Sequence, residues 1–173
     1  MKEKMQIKGK ATGILFWALA IFWMGFIFFM SAQTGDESAS MSSPVADFVI
    51  KIFVPDYEDK TPIEQEDIKH TVELIIRKGA HFTEYAILGF LVYLVVQMYV
   101  LKTKARFLIS WLFSTLYAAS DEFHQSFVGG RGPQVKDVCI DSAGAFVGVL
   151  LSVVFILILI KRANKKMQIK DTY

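Results

Sequence analysis

From Ala11 to Gly35 the chain runs for 25 residues without a charge, and Phe16, Trp17, Phe22, Trp23, Phe26, Phe28 and Phe29 lie inside that run. A bilayer's hydrocarbon layer, about 30 Å thick, is crossed by about 20 apolar residues in a helix, so this stretch reads as a transmembrane span. A cleaved secretory signal is the rival, since Lys2, Lys4, Lys8 and Lys10 form a basic leader, but the apolar run exceeds the roughly 7–15 residues of a signal core. Three further uncharged runs follow: Tyr85–Leu101, Phe107–Ser120 and Ser142–Ile160. With 53% hydrophobic residues and a formal net charge of +2, the composition excludes a disordered tail and a nucleic-acid binder. The lone Cys139 excludes an internal disulfide framework.

Cutting the chain at these runs separates its charges. The N-terminus, the Lys102–Arg106 turn and the tail after Ile160 hold 12 of the 19 basic residues and only Glu3 and Asp171 of the 17 acidic ones, a net of +10. The two remaining polar segments, 36–84 and 121–141, carry −8. By the positive-inside rule both termini and the middle turn are expected in the cytoplasm, and the polar loops outside. The expected fold is therefore all-α, a polytopic membrane four-helix bundle. Its parts are a basic leader over 1–10, a transmembrane domain over 11–160 and a basic tail over 161–173. Spans are expected near 11–33, 79–101, 107–125 and 140–160, with an outer loop over 34–78. The chain is expected to be a multi-pass membrane protein, with lipids as partners and no nucleic acid.

In the outer loop, Val45, Phe48, Val49, Ile52 and Phe53 fall on one helical face after Pro44, which predicts an amphipathic helix on the outer leaflet or over the bundle mouth. A short packing helix is the plainer alternative. Thr61-Pro62-Ile63-Glu64 is a capping box with proline at the first helical position. From there Ile68, Val72, Ile75, Ile76 and Gly79 keep a helical period into the second span, with a break or bend near Lys78-Gly79 or an outward projection expected.

Polar residues gather at the outer ends of the spans. At about 1.5 Å per residue, Ser31, His81, Glu84, Asp121, His124 and Asp141 all stand roughly 22–31 Å from the cytoplasmic boundary. Lys78, His81, Glu84 and Tyr85 share one helical face, and Ser114, Tyr117, Asp121, His124 and Gln125 share another. Asp137, Asp141, Gly144, Gly148 and Ser152 share a third, whose glycines allow close helix contact. Ala18, Gly25 and Ala32 offer a similar stripe on the first span. Ionisable groups at membrane depth cost about 2.5–3.5 kcal/mol each on insertion scales, so they persist with partners or for a function. Arg131, within Val128-Gly129-Gly130-Arg131-Gly132-Pro133, offers a planar fork suited to phosphate or carboxylate.

These pieces resemble the VanZ-like family of bacterial membrane proteins, named for a protein associated with teicoplanin resistance. The matching residues are Ser31-Ala32-Gln33, Lys78-x-x-His81-Phe82-x-Glu84-Tyr85, Asp121-Glu122-x-His124-Gln125-x-Phe127 followed by Arg131, and Asp137 with Asp141 and Gly144. Asp141 departs from the pattern, which more often carries an amide there. The resemblance implies a four-helix plasma-membrane protein with an extracytoplasmic polar crown and a link to glycopeptide tolerance. It brings no agreed reaction.

Three uses of the crown are open. The first is a binding site for a lipid headgroup, cell-wall precursor or lipoglycopeptide, formed by Lys78, His81, Glu84, Tyr85, Asp121, Glu122, His124, Gln125, Arg131, Asp137 and Asp141, with Phe82, Phe123 and Phe127 as an aromatic wall. The second is an enzyme, a hydrolase or transferase acting on a lipid-linked substrate. It would use His124 as a base oriented by Asp121, Ser31 as a weak nucleophile, or a metal on His81, Glu84, Asp121 and His124. The third is a satisfied polar network fixing helix register in a membrane interaction protein. No cofactor is expected, and the oligomeric state is open. His70 is expected to be exposed and Cys139 to be packed.

Overall fold

The computed structural model describes residues 9–99, 102–130, 132 and 134–170, the last two without their side chains. It is all-helical among the described residues: α1 (Lys10–Ser31), α2 (Gly35–Phe53), α3 (Pro62–Val96), α4 (Thr103–Gln125) and α5 (Val135–Lys170). Three of these, α1, α3 and α5, are long and apolar enough to cross a membrane. The expected third span, α4, has 23 residues but falls outside that set, because Ser110, Ser114, Thr115, Ser120, Asp121 and Glu122 lower its hydropathy.

Burial explains this dilution. Ser110, Ser114, Asp121, Glu122 and Gln125 of α4 are buried, while Leu108, Ile109, Leu112, Phe113 and Leu116 face outward. The same inversion holds elsewhere, with Ser31, Asp141 and Ser152 inside and Ile14, Phe22, Phe29, Leu151 and Leu157 outside. A helix polar towards its neighbours and apolar towards its surroundings suits a lipid solvent, where sequestering polar groups outweighs sequestering apolar ones.

The central contact is between α3 and α5, which run parallel. Gly144 meets the Phe82 backbone, Gly148 that of Ala86, and Gly89 that of Ala145. A Cβ added at Gly148 would stand 2.6 Å from the Ala86 carbonyl carbon, and one at Gly144 2.9 Å from that of Phe82. Backbones this close leave no room for a side chain. Ser152 then donates its hydroxyl to the Phe90 carbonyl at 2.9 Å, further along the same seam. Helix α4 packs on both α3 and α5, and α1 packs on α3 and α4.

Several expectations are corrected. Of the break, bend or outward projection expected at Lys78-Gly79, the break is absent: α3 is one helix of 35 residues, started by the Thr61–Glu64 capping box and Pro62, which agrees with the projecting alternative. It ends at Val96, short of the expected 101. The loop helix α2 starts nine residues before Pro44, because Thr34 and Glu37 form a second capping box that the periodicity analysis missed. Hydrogen bonds from the Thr34 backbone and hydroxyl hold the Glu37 carboxyl below the usual carboxylate range. Pro44 sits inside α2, at the cost of one backbone bond.

Helix α2 packs along the first half of α3, antiparallel to it, with Asp47 2.9 Å from Lys69. The face against α3 is Ser42, Ala46 and Ile50, and the expected apolar face is turned away, with Phe48 64% and Phe53 75% exposed. On α1 the packed residues are Ala20, Ile27 and Ser31; Ala18, Gly25 and Ala32 are exposed, and nothing stands near a Cβ placed at Gly25. Cys139 is exposed rather than packed, and His70 is exposed as expected.

Replacing Gly148 by leucine is expected to lower the unfolding free energy of the detergent-solubilised protein by at least about 1–3 kcal/mol, while Gly25→Leu leaves it nearly unchanged. Equal thermal melting of the two variants contradicts the seam.

Candidate functional site

The C-terminal ends of α1 and α4, the N-terminal end of α5 and the middle of α3 meet the start of α2 at one polar layer. Its innermost element is a hydrogen-bonded triad between α1 and α4. Ser31 donates to Asp121 Oδ2 at 2.6 Å, and Gln125 donates to Ser31 at 3.0 Å and to the same carboxylate oxygen at 3.3 Å. All three residues are buried. Tyr85, fully buried on α3, has Asp121 and Asp141 within electrostatic reach and lies 6.4 Å, ring to ring, from Tyr117. Tyr117 donates to the Met24 carbonyl at 2.7 Å and Trp23 to the Glu84 carbonyl at 2.8 Å, so α1 is tied to α3 and α4 at this depth.

Two contacts shape the outer rim. Lys78 Nζ meets Asp137 Oδ1 at 2.6 Å, locking the first turn of α5 to α3. Glu122 accepts the Gln134 backbone N–H at 2.6 Å, holding the entry to α5 against the end of α4. The turn between α4 and α5 presses on α2: the Gly35 N–H donates to the Gly129 carbonyl at 3.2 Å, and Gly130 has φ 75°, a left-handed conformation that favours glycine.

A cavity of about 220 Å³ lies within this rim. Lys78, His81, Glu122, Gln125, Asp137 and Asp141 line it, all of them expected from sequence. Arg77, Ser38 and Gln134 also line it and were not foreseen. Arg77 was legible: it stands four residues before His81 and three after Leu74, another lining residue, on the face that carries Lys78. Its Nε is buried without a hydrogen-bond partner among the described residues, and so is Asp141 Oδ1. Arg131 lies outside the described residues.

Of the other expected members, Glu84, Tyr85, Asp121 and His124 do not line the cavity. His81 Nδ1 is 3.9 Å from Glu84 Oε2. His124 packs its ring on Phe28, centroids 4.3 Å apart. Asp121 Oδ2 accepts from Ser31 and Gln125, and among the described residues neither Asp121 Oδ1 nor His124 Nδ1 has a hydrogen-bond partner, so the carboxylate does not orient His124 as a base. Ser31, the nucleophile candidate, is fully buried. Among the described residues no three His, Cys, Asp or Glu side chains form a group able to hold a metal ion, so His81, Glu84, Asp121 and His124 are not gathered as ligands. Phe123 and Phe127 contact each other edge-on at 5.3 Å and are largely exposed. Phe82 instead lines a shallow apolar groove of about 510 Å³ with Trp111, Val138 and Phe146. There Trp111 donates to the Ser142 carbonyl and hydroxyl at 3.1 Å each, and the Thr115 and Ser142 hydroxyls lie 2.8 Å apart.

Apolar outer faces around a buried polar layer define a helical membrane protein. The VanZ/LLP1 family model matches residues 16–158, from within α1 to within α5, and the chain belongs to that family. No curated protein and no solved structure matches the chain.

The triad yields a direct expectation. Asp121→Ala strands the Ser31 hydroxyl and the Gln125 amide and is expected to cost about 1–3 kcal/mol of stability in detergent, whereas Asp121→Asn keeps an acceptor and costs less. Equal losses for the two substitutions contradict the assigned bonds.

Proposed function

We propose that this protein binds an amphiphilic ligand at the extracytoplasmic surface of the bacterial plasma membrane, with the ligand's polar end in the cavity between α3 and α5. A lipid headgroup, a lipid-linked cell-wall precursor or a lipoglycopeptide supplies such an end. The observation that carries this reading is Arg77. A guanidinium whose Nε is buried without a partner among the described residues lines a cavity of about 220 Å³. Arginine's planar fork matches phosphate and carboxylate. The same site in a wall-directed protein fits the glycopeptide tolerance, including that to teicoplanin, associated with VanZ-like proteins.

The cavity limits what enters. At about 30 Å³ per water-sized group it takes about seven such groups, so a headgroup or short peptide end fits and a whole glycopeptide does not. The larger part of any such ligand lies outside, against the apolar surface of α2 or the membrane.

In this reading α1, α3, α4 and α5 form a four-helix bundle and both termini are cytoplasmic. The division of charge, +10 against −8, supports that orientation. The outward apolar face of α4 supports counting it as a span despite its polar interior. The hairpin of α2 with the first half of α3 then rises from the outer surface. Enzymatic use of the layer has less support, because Ser31 is fully buried and His124 packs on Phe28 with no hydrogen bond to Asp121 among the described residues.

Two measurements follow. In a Cys139→Ser background, Glu58→Cys is expected to react with a membrane-impermeant maleimide in intact cells and Lys166→Cys only after lysis; the reverse pattern overturns the orientation. Lipid extract or a lipoglycopeptide is expected to raise the melting temperature of the purified protein, with the gain lost in Arg77→Gln. No gain with either class of ligand removes the proposed function.

A further inference from the structure

The cavity contains an acidic and a basic side chain with unanswered atoms. Asp141 is 3% exposed, and its Oδ1 has no hydrogen-bond partner among the described residues. Asp121, Asp137, Glu122 and Glu84 all lie within electrostatic reach of it. The nearby cation Lys78 is committed to Asp137 at 2.6 Å. A buried carboxylate left among like charges is costly unless a donor reaches it. Arg77 is the converse, a guanidinium lining the same space with a buried Nε that meets no acceptor.

No ion pair joins the two among the described residues, and the helix register sets their backbones at different levels. Lys78 faces Asp137, and Gly144 lies against Phe82, so Asp141 stands near the level of His81. That is four residues inward of Arg77, or about 6 Å along the parallel helices. The seam glycines hold the helices at this register, and neither side chain can shift it. A positive and a negative group about one helical turn apart, in a space for about seven water-sized groups, complement a small zwitterion.

We propose that the cavity recognises a zwitterionic unit, a primary ammonium donating to Asp141 and a phosphate or carboxylate received by Arg77, of the kind an aminoethyl phosphate carries. This rests on the ligand-binding reading above and narrows it from any anionic headgroup to one bearing an amine. The ammonium position is the deeper one, so the unit enters amine first. A quaternary ammonium has no N–H to offer Asp141 and is excluded, as is a phosphate without an amine.

The test uses the full chain, purified in detergent, with phosphoethanolamine, phosphocholine and glycerol phosphate as soluble probes. Phosphoethanolamine is expected to bind at least about tenfold more tightly than the other two, by calorimetry or thermal shift. Asp141→Asn is expected to remove that preference and Arg77→Gln to remove binding. Asp141→Asn relieves charge repulsion, so it is expected to melt no lower than the parent without ligand, which separates lost recognition from lost folding. In nanodiscs, a gain with phosphatidylethanolamine over phosphatidylglycerol but none with soluble phosphoethanolamine assigns the unit to a lipid, and a gain with both assigns it to the unit itself. Equal binding of glycerol phosphate and phosphoethanolamine, unchanged in Asp141→Asn, overturns this inference while the anion-binding reading stands. No response to any of these probes, to lipid extract or to lipoglycopeptide overturns both.

Discussion

The parallel contact of α3 with α5, closed by Gly89, Gly144 and Gly148, is the constraint from which the rest of the structure follows. In a bilayer, apolar side chains gain nothing by leaving lipid for protein, so helices associate through close packing and interhelical hydrogen bonds. The glycines supply the first and Ser152, bonded to the Phe90 carbonyl, contributes the second. Once that register is set, Lys78 faces Asp137 and Asp141 comes to the level of His81. Helix α4 closes the layer from the other side and α1 is tied on through Trp23, Ser31 and the Met24 carbonyl. A wider seam would separate Lys78 from Asp137 and open the cavity to the membrane.

Polar groups at this depth divide into two kinds. Ser31, Gln125, Trp111, Thr115 and Ser142 satisfy one another and work as interhelical ties. Arg77 Nε and Asp141 Oδ1 have no partner among the described residues; Tyr85, Asp121 and His124 also carry such an atom, but Arg77 and Asp141 share a cavity. A purely structural network has no use for an acidic and a basic side chain that face one cavity without pairing. That contrast favours ligand recognition over a register-fixing role. The buried, mutually bonded state of Ser31 and Asp121 favours it over catalysis.

Much of this was legible in the residues. Uncharged length marks the helices, and the shared phase of Asp137, Asp141, Gly144, Gly148 and Ser152 marks the inward face of α5, where all but the half-buried Asp137 are buried. Lys78, His81, Glu122, Gln125, Asp137 and Asp141, which line the cavity, stand out in the sequence as polar residues beside uncharged runs. What was missed has physical causes. The Thr34–Glu37 cap lies in a polar stretch without hydrophobic period, so α2 was started too late. Small residues at Ala18, Gly25 and Ala32 permit close contact without requiring it, and α1 instead buries Ala20, Ile27 and Ser31. Shared sequence spacing put Asp121 beside His124 but did not reveal that Ser31, from another helix, takes the carboxylate. Arg77 was passed over because its neighbour Lys78 was counted as the cation of that face, and the structure shows Lys78 already engaged.

The most direct measurement is an experimental structure of the full chain in lipid nanodiscs containing phosphatidylethanolamine. The account predicts density for a bound polar group between Arg77 and Asp141, with Lys78 still on Asp137 and the glycine seam closed. A collapsed cavity in which the Arg77 guanidinium reaches down to pair directly with Asp141 would contradict it.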